Sequence, residues 1–258
     1  MSWASRRQFT YLGGVLLFIA GILFLYLYPK FHVAPTCTDN KKNGTELGVD
    51  CGGVCSQFCS FQVSTPVVLW SRAFLVSGNT YNLMAYVENQ NKNAAAKYAT
   101  YEFRIYDTDN KLIGRREGVT FIPPNTRFPV FESRFESGTS IPKNVTFSFT
   151  NQIIWVKKDP INTEVPITVD RIVLGDSTSS PSLFARVTND SILDLPPFDF
   201  FVILYDDLHN AIAVSKTHRE GLKSSESANL SFTWPQAFSS TPVVKEVIPS
   251  INPFFINQ

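Results

Sequence analysis

Apolar residues in this chain follow two patterns. Residues 9–28, FTYLGGVLLFIAGILFLYLY, carry no charge and form an unbroken run of 20. At a helical rise of 1.5 Å per residue they span about 30 Å, the hydrocarbon thickness of a bilayer, so the run predicts a membrane-crossing helix. Beyond it the apolar positions alternate with polar ones in short stretches. Leu83, Ala85 and Val87 recur two apart and end at Asn89, and Phe103 and Ile105 do the same ahead of Tyr106 and Asp107. A period of two predicts half-buried strands. Further strands are expected at 67–76, 128–135 and 145–156, and at 169–174, 229–233 and 243–248. Hairpin turns of about four or five residues are expected after Asp107 and Asp206, because Asp and Asn bond their own backbone and tolerate the left-handed conformation.

Sliding the chain along itself by 100 residues places Leu83, Ala85, Val87 and Asn89 over Leu183, Ala185, Val187 and Asn189. At an offset of 99, Phe103, Ile105, Tyr106 and Asp107 fall over Val202, Leu204, Tyr205 and Asp206. Such self-similarity predicts a duplicated domain. Each copy reads as short antiparallel strands without an amphipathic helix. The expected fold is therefore all-β, two tandem sandwiches of immunoglobulin or fibronectin III size after one N-terminal transmembrane helix and a small cysteine-rich segment. Trp70, Trp155 and Trp234 are expected core material. The polar, proline-bearing stretch 157–166 is the expected linker. The organisation read from these features is a cytoplasmic N-terminus at 1–8, a transmembrane signal anchor at 9–28 and a cysteine-rich extracytoplasmic segment at 29–62. A first sandwich at 63–156, the linker and a second sandwich at 167–258 follow.

Composition sharpens this in three ways. The 23 basic and 22 acidic residues are mixed along the chain, so it has no basic face for nucleic acid. Arg6 and Arg7 precede the span, which points the N-terminus to the cytoplasm. A cleavable signal peptide is the rival, but a cut after Ala34 would have His32 at −3 and Pro35 at +1, so the anchor is expected to stay attached. All four cysteines, Cys37, Cys51, Cys55 and Cys59, lie between the span and the first strand, a placement suited to an oxidising exterior.

The cysteine gaps are 13, 3 and 3 residues, in a stretch too rich in glycine to build a core. Three readings compete. Two disulfides are one, with three possible connectivities. A Cys37–Cys51 bridge, for example, would close about 15 residues and contribute about 3 kcal/mol. A tetrathiolate zinc site is the second, although its ligands usually come as two close pairs. In the third, a structural calcium ion joins the disulfides, using oxygens of Asp39, Asn40, Asn43, Glu46 and Asp50, with Asp39, Asn43, Glu46 and Asp50 the principal candidates.

This stretch resembles the CxDxxxNGxExGVDCGGxCxxC motif of exported bacterial surface proteins, through Cys37, Asp39, Asn43, Gly44, Glu46, Gly48, Val49, Asp50, Cys51, Gly52, Gly53 and Cys55. Its last gap is one residue longer than the pattern, which leaves the partner of Cys59 open. The hairpins resemble those of FxLYD-type immunoglobulin-like domains through Phe103, Ile105, Tyr106 and Asp107, and through Leu204, Tyr205 and Asp206, with Val202 where the motif has Phe. Over nearly its full length the chain is similar to membrane-anchored surface proteins of candidate-phylum (Patescibacteria-type) bacteria. The resemblance implies an architecture and a location, and no activity.

Catalytic constellations are not legible. His32 abuts the span, His209 falls in a turn, and His218 lies in a polar run; the neighbouring Asp206 and Asp207 have a structural role at a turn start. The expected function is a non-enzymatic, single-pass membrane protein, held in the membrane by residues 9–28. It would display its sandwiches outside the cytoplasmic membrane to bind or scaffold an envelope or surface protein, without a cofactor beyond the calcium named above. Thiol redox or metal handling by the cysteine cluster is the alternative.

Overall fold

The computed structural model describes residues 3–31, 34–158, 166–175 and 179–255. His32, most of the expected linker and the last three residues lie outside them. The fold is all-β after one N-terminal helix.

Two compact units make up the chain, Met1–Cys55 and Ser56–Gln258. The first holds helix α1 (Trp3–Phe31), whose apolar window Arg7–Tyr28 is 22 residues long and buries none of its side chains in the protein. A helix apolar on all sides that buries none of this window among the described residues has the character of a membrane span or signal sequence rather than of a core helix. The rest of this unit is a turn-rich knob over residues 34–55.

The second unit begins with a 3₁₀ turn, η1 (Ser60–Gln62), followed among the described residues by thirteen strands. These are β1 (Val67–Ser77), β2 (Thr80–Asn89), β3 (Ala94–Tyr106), β4 (Leu112–Ile122), β5 (Thr126–Glu136), β6 (Asn144–Phe149), β7 (Val156–Lys157), β8 (Ile167–Leu174), β9 (Ser182–Asn189), β10 (Phe198–Tyr205), β11 (Ala211–Arg219), β12 (Ser227–Thr233) and β13 (Val244–Ser250). In the first sandwich, sheet β1-β2-β5 faces sheet β4-β3-β6, with β7 on β3. In the second, β12-β9-β8 faces β11-β10-β13, the same strand order. All these pairs are antiparallel.

Each sandwich has its own core. Leu83, Val87, Phe103, Ile105, Phe147 and Trp155 fill the first; Leu183, Val187, Phe200, Val202, Leu204, Phe232 and Trp234 fill the second. Between the sandwiches lies a third core. Phe74, Met84 and Tyr86, from the far face of β1-β2-β5, pack against Phe201, Ile203, Ala211 and Val214 on the far face of β11-β10-β13, with Trp70 and Phe131 alongside. Four sheets thus stack with three apolar layers between them. Trp70 serves this third layer rather than the core of its own sandwich, unlike Trp155 and Trp234.

This layer corrects the reading of residues 83–87 as half-buried. All five are buried, because β2 is the middle strand of a sheet covered on both faces. Residues 150–155, expected as strand, are irregular, and the ladder resumes only at β7. Lys157, assigned to the linker, is in that strand, where it pairs with Ala94.

Candidate functional site: the cysteine knob and the sheet faces

The knob is built around three carboxylates, and each holds main-chain amides. Asp50 accepts hydrogen bonds from the N–H groups of Asp39 (3.0 Å) and Asn40 (2.9 Å). Asp39 accepts from the Lys41 N–H (2.9 Å) and the Asn43 side chain (2.7 Å), and the Asn43 bond is the main reason its carboxyl is held below the ordinary 3.8. The buried Glu46 accepts from the N–H groups of Asn43 (3.2 Å) and Asp50 (3.3 Å). Asn40 and Asp50 take the left-handed conformation their side chains tolerate. Gly53 is glycine by necessity: its φ is +56°, and a Cβ there would clash with the Thr45 carbonyl oxygen.

All four cysteines are in disulfides. Cys37 pairs with Cys55 rather than Cys51, at a Cα separation of 5.6 Å. Oxidised sulfurs cannot serve as the thiolates of a zinc site, so the tetrathiolate reading does not fit. The close group formed by Cys37, Glu46 and Cys55 is a disulfide with a carboxylate beside it, Cys55 Sγ lying 3.4 Å from Glu46 Oε1. A carboxylate there repels an incoming thiolate and disfavours a thiolate leaving group, which suits a structural rather than an exchanging disulfide. The four principal calcium candidates, Asp39, Asn43, Glu46 and Asp50, do converge in one loop. Their carboxylates are nevertheless turned to amide donors, and Asn43 Oδ1 is a buried oxygen without a hydrogen-bond partner among the described residues.

The hairpin motifs are structural in both sandwiches. Phe103, Ile105 and Leu204 are fully buried core residues, as is Val202. Asp107 Oδ1 accepts from the N–H groups of Asp109 (3.0 Å) and Lys111 (2.9 Å). Asp206 Oδ1 does the same for Leu208 (3.0 Å) and Asn210 (2.7 Å), and the Asn210 amide is the first cause of its lowered carboxyl. Asn110 and His209 occupy the left-handed position of these turns, which explains His209 without chemistry. Tyr106 is half-buried, whereas Tyr205 reaches the seam between the sandwiches.

There Glu246 accepts hydrogen bonds from Tyr86 of the first sandwich and Tyr205 of the second, each at 2.8 Å. Burial, reinforced by the Glu246 charge, pushes both hydroxyls well above their ordinary 10.0. Arg72 Nη1 donates to the Ala211 carbonyl (3.2 Å), and the Phe131 and Phe201 rings lie 5.7 Å apart. Sequence reasoning missed this seam. The signal was the unbroken run FFVIL at 200–204 in β10, against the alternating YEFRIY of β3.

The two outermost faces carry more polar side chains, with Phe184 and Val173 exposed among them on the second sandwich. On β4-β3-β6, the position matching Phe201 is Glu102, which is buried beneath Arg104 (2.7 Å) and Arg115 (3.5 Å). On β12-β9-β8, outward Arg186, Asn229 and Ser231 stand where the first sandwich has Tyr86, Pro129 and Phe131. The seam joins unlike faces of the two sandwiches, a heterologous contact.

His218 is the remaining ionisable candidate. Its Nδ1 lies 2.7 Å from Asp199 Oδ1 and its Nε2 lies 3.9 Å from Glu220 Oε1, while Lys216 shares Asp199 at 3.1 Å. Both ring nitrogens thus face carboxylates in a solvated ion-pair cluster.

No protein-family model and no curated protein matches the chain. Among solved structures it is similar to red sea bream transglutaminase, at 11% identity over 73% of this chain, with a TM-score of 0.24. The chain spans only 31% of that protein, and a likeness this distant carries no argument about function.

Proposed function

We propose that this chain is a non-enzymatic membrane protein that holds a rigid pair of β-sandwiches outside the cytoplasmic membrane to bind or scaffold an envelope protein. The observation that carries the reading is the third core, which joins two sandwiches into one stiff body. Stiffness of this kind suits presentation of a surface at a set geometry. The apolar helix supplies attachment, and the disulfides favour an oxidising exterior. Arg6 and Arg7 ahead of the span favour an N-terminus inside. Identical strand order and matched Asp-capped hairpins support descent of both sandwiches from one duplicated domain. The clustered carboxylates and histidine serve loops and ion pairs, which favours binding over catalysis.

In-cell crosslinking, detergent extraction and mass spectrometry of what is captured with the chain test the reading. The expected result is a stoichiometric envelope protein. Recovery of the chain alone would sink it. Exchange of any cysteine with glutathione under native conditions would favour a thiol-redox role instead.

A further inference from the structure

We propose that the open edge of β6, over residues 145–149, is a strand-addition site for an extended protein segment with apolar side chains at alternate positions. This rests on the binding role above and gives it a surface and a partner chemistry.

Among the described residues β6 pairs with β3 alone. Thr150 N–H donates to the Thr100 carbonyl at 2.9 Å, and in that antiparallel register the even-numbered residues of β6 face β3. The main-chain groups of Val145, Phe147 and Phe149 therefore point away from the sheet. Ser71 Oγ takes the Val145 carbonyl at 2.7 Å, closing that end and leaving Phe147 and Phe149 open. A seven-stranded immunoglobulin-type sandwich lays its last strand along this edge.

One turn further along, the edge already carries an added strand. Phe58 N–H donates to the Trp155 carbonyl (2.9 Å) and Lys157 N–H to the Ser56 carbonyl (2.7 Å), so residues 56–58 run antiparallel to β7. After Phe58 the ladder splits. Turn η1 leads the chain off, and the Asn91 side chain captures the Ser64 N–H (2.8 Å) and carbonyl (2.7 Å). Between the departing segment and β6 opens a groove of about 450 Å³, lined by Val63, Pro66, Val68, Phe147, Ile153 and Trp155 among others.

Edge strands normally carry charge, proline or a bulge against unwanted pairing. Here β4 has Arg115, Arg116 and Glu117, β13 has Lys245 and Pro249, β5 has Pro129, β8 has Asp170 and Arg171, β11 has Lys216, and β1 has Arg72. The sequence of β6, NVTFSF, has no charge or proline, a lack that β12 shares, and the apolar groove lies beside β6. A ladder of free amides and carbonyls over an apolar floor matches an extended peptide, continuing the 56–58 ladder antiparallel to β6, better than a lipid or a sugar.

The test uses the full chain in detergent and a blocked seven-residue peptide of alternating valine and threonine. Residue-resolved hydrogen exchange should show Phe147 and Phe149 amides unprotected in the free protein and at least tenfold slower with peptide. A peptide N-methylated at every second amide should have no effect. Val68→Asp, which places a charge in the groove, should abolish the protection, whereas Ile154→Asp, exposed outside it, should not. Phe147 and Phe149 amides already slow in the free chain, or protection unchanged in Val68→Asp, would overturn the proposal. Self-association abolished by Val68→Asp would overturn the choice of occupant, making it a second copy. In crosslinking, an envelope protein retained by Val68→Asp would refute this edge while leaving the binding role standing; loss of all partners from the native chain would refute the binding role itself.

Discussion

Replacing Ile203 by alanine separates a single rigid body from two independent sandwiches. Ile203 is fully buried, yet its side chain faces away from the core of its own sandwich and into the layer shared with Phe74, Met84 and Tyr86. If the seam holds in solution, the substitution truncates a core residue and costs about 2–5 kcal/mol. For a body of this size that corresponds to a fall in melting temperature of roughly 4–20 °C, at about 2–4 °C per kcal/mol. If the sandwiches were separate, Ile203 would be a surface residue and the cost would stay within about 0.5 kcal/mol. Differential scanning calorimetry of the detergent-solubilised chain reads the difference, with Val119→Ala, an exposed residue of β4, as the surface control. The expected result is one transition that moves as a whole. A shift of less than about 2 °C, or a second sandwich melting alone with the first unaffected, would refute the shared core.

Asn189 donates to the Leu193 (2.7 Å), Leu222 (3.0 Å) and Lys223 (3.0 Å) carbonyls from a fully buried position, so Asn189→Ala should lower stability by roughly 2–4 kcal/mol in denaturant titration. Asn89, which bonds the Ala94 and Pro123 carbonyls in the first sandwich, should behave alike. Asp39 and Asp206 have folded-state carboxyls below their ordinary 3.8, so their contribution is complete above that value and lost as pH falls through the lowered ones; Asp206→Asn should flatten the acid limb of a stability–pH curve. Tyr86 and Tyr205 act in the opposite direction. Their raised hydroxyls stabilise fully below pH 10.0 and progressively less above it, and Tyr86→Phe with Tyr205→Phe should remove that alkaline loss. Because the knob carboxylates already hold amide donors, calcium or a chelator should leave the melting temperature unchanged; a calcium-dependent rise of several degrees would show a bound ion.

Strand positions were legible because a period of two survives wherever one face of a strand is buried. The membrane helix was legible from its length and its lack of charge. What escaped the pattern was burial on both faces. Residues 83–87 and 200–204 are continuous apolar runs, and continuous runs mean sheets covered twice. Read that way, the contrast between Phe201 with Ile203 and Glu102 with Arg104 would have marked one copy's face as buried and the other's as exposed. In the knob, residue types announced a cluster of side-chain oxygens, but spacing alone does not show that three of the carboxylates accept main-chain amides. Nor could it pair Cys37 with Cys55, since that depends on the path of the loop around Gly53. The groove beside β6 had no sequence signal, because it depends on where the chain leaves the ladder after Phe58.

The most direct test of the membrane-anchored, outward-facing arrangement is protease shaving of intact cells without their outer layers, followed by mass spectrometry of the fragments on each side. If the helix stays attached and the sandwiches lie outside, peptides from residues 56–258 are released from intact cells, and those from α1 remain with the membrane. Protection of the sandwiches until the membrane is breached, or a mature chain that begins near Ala34, would contradict it.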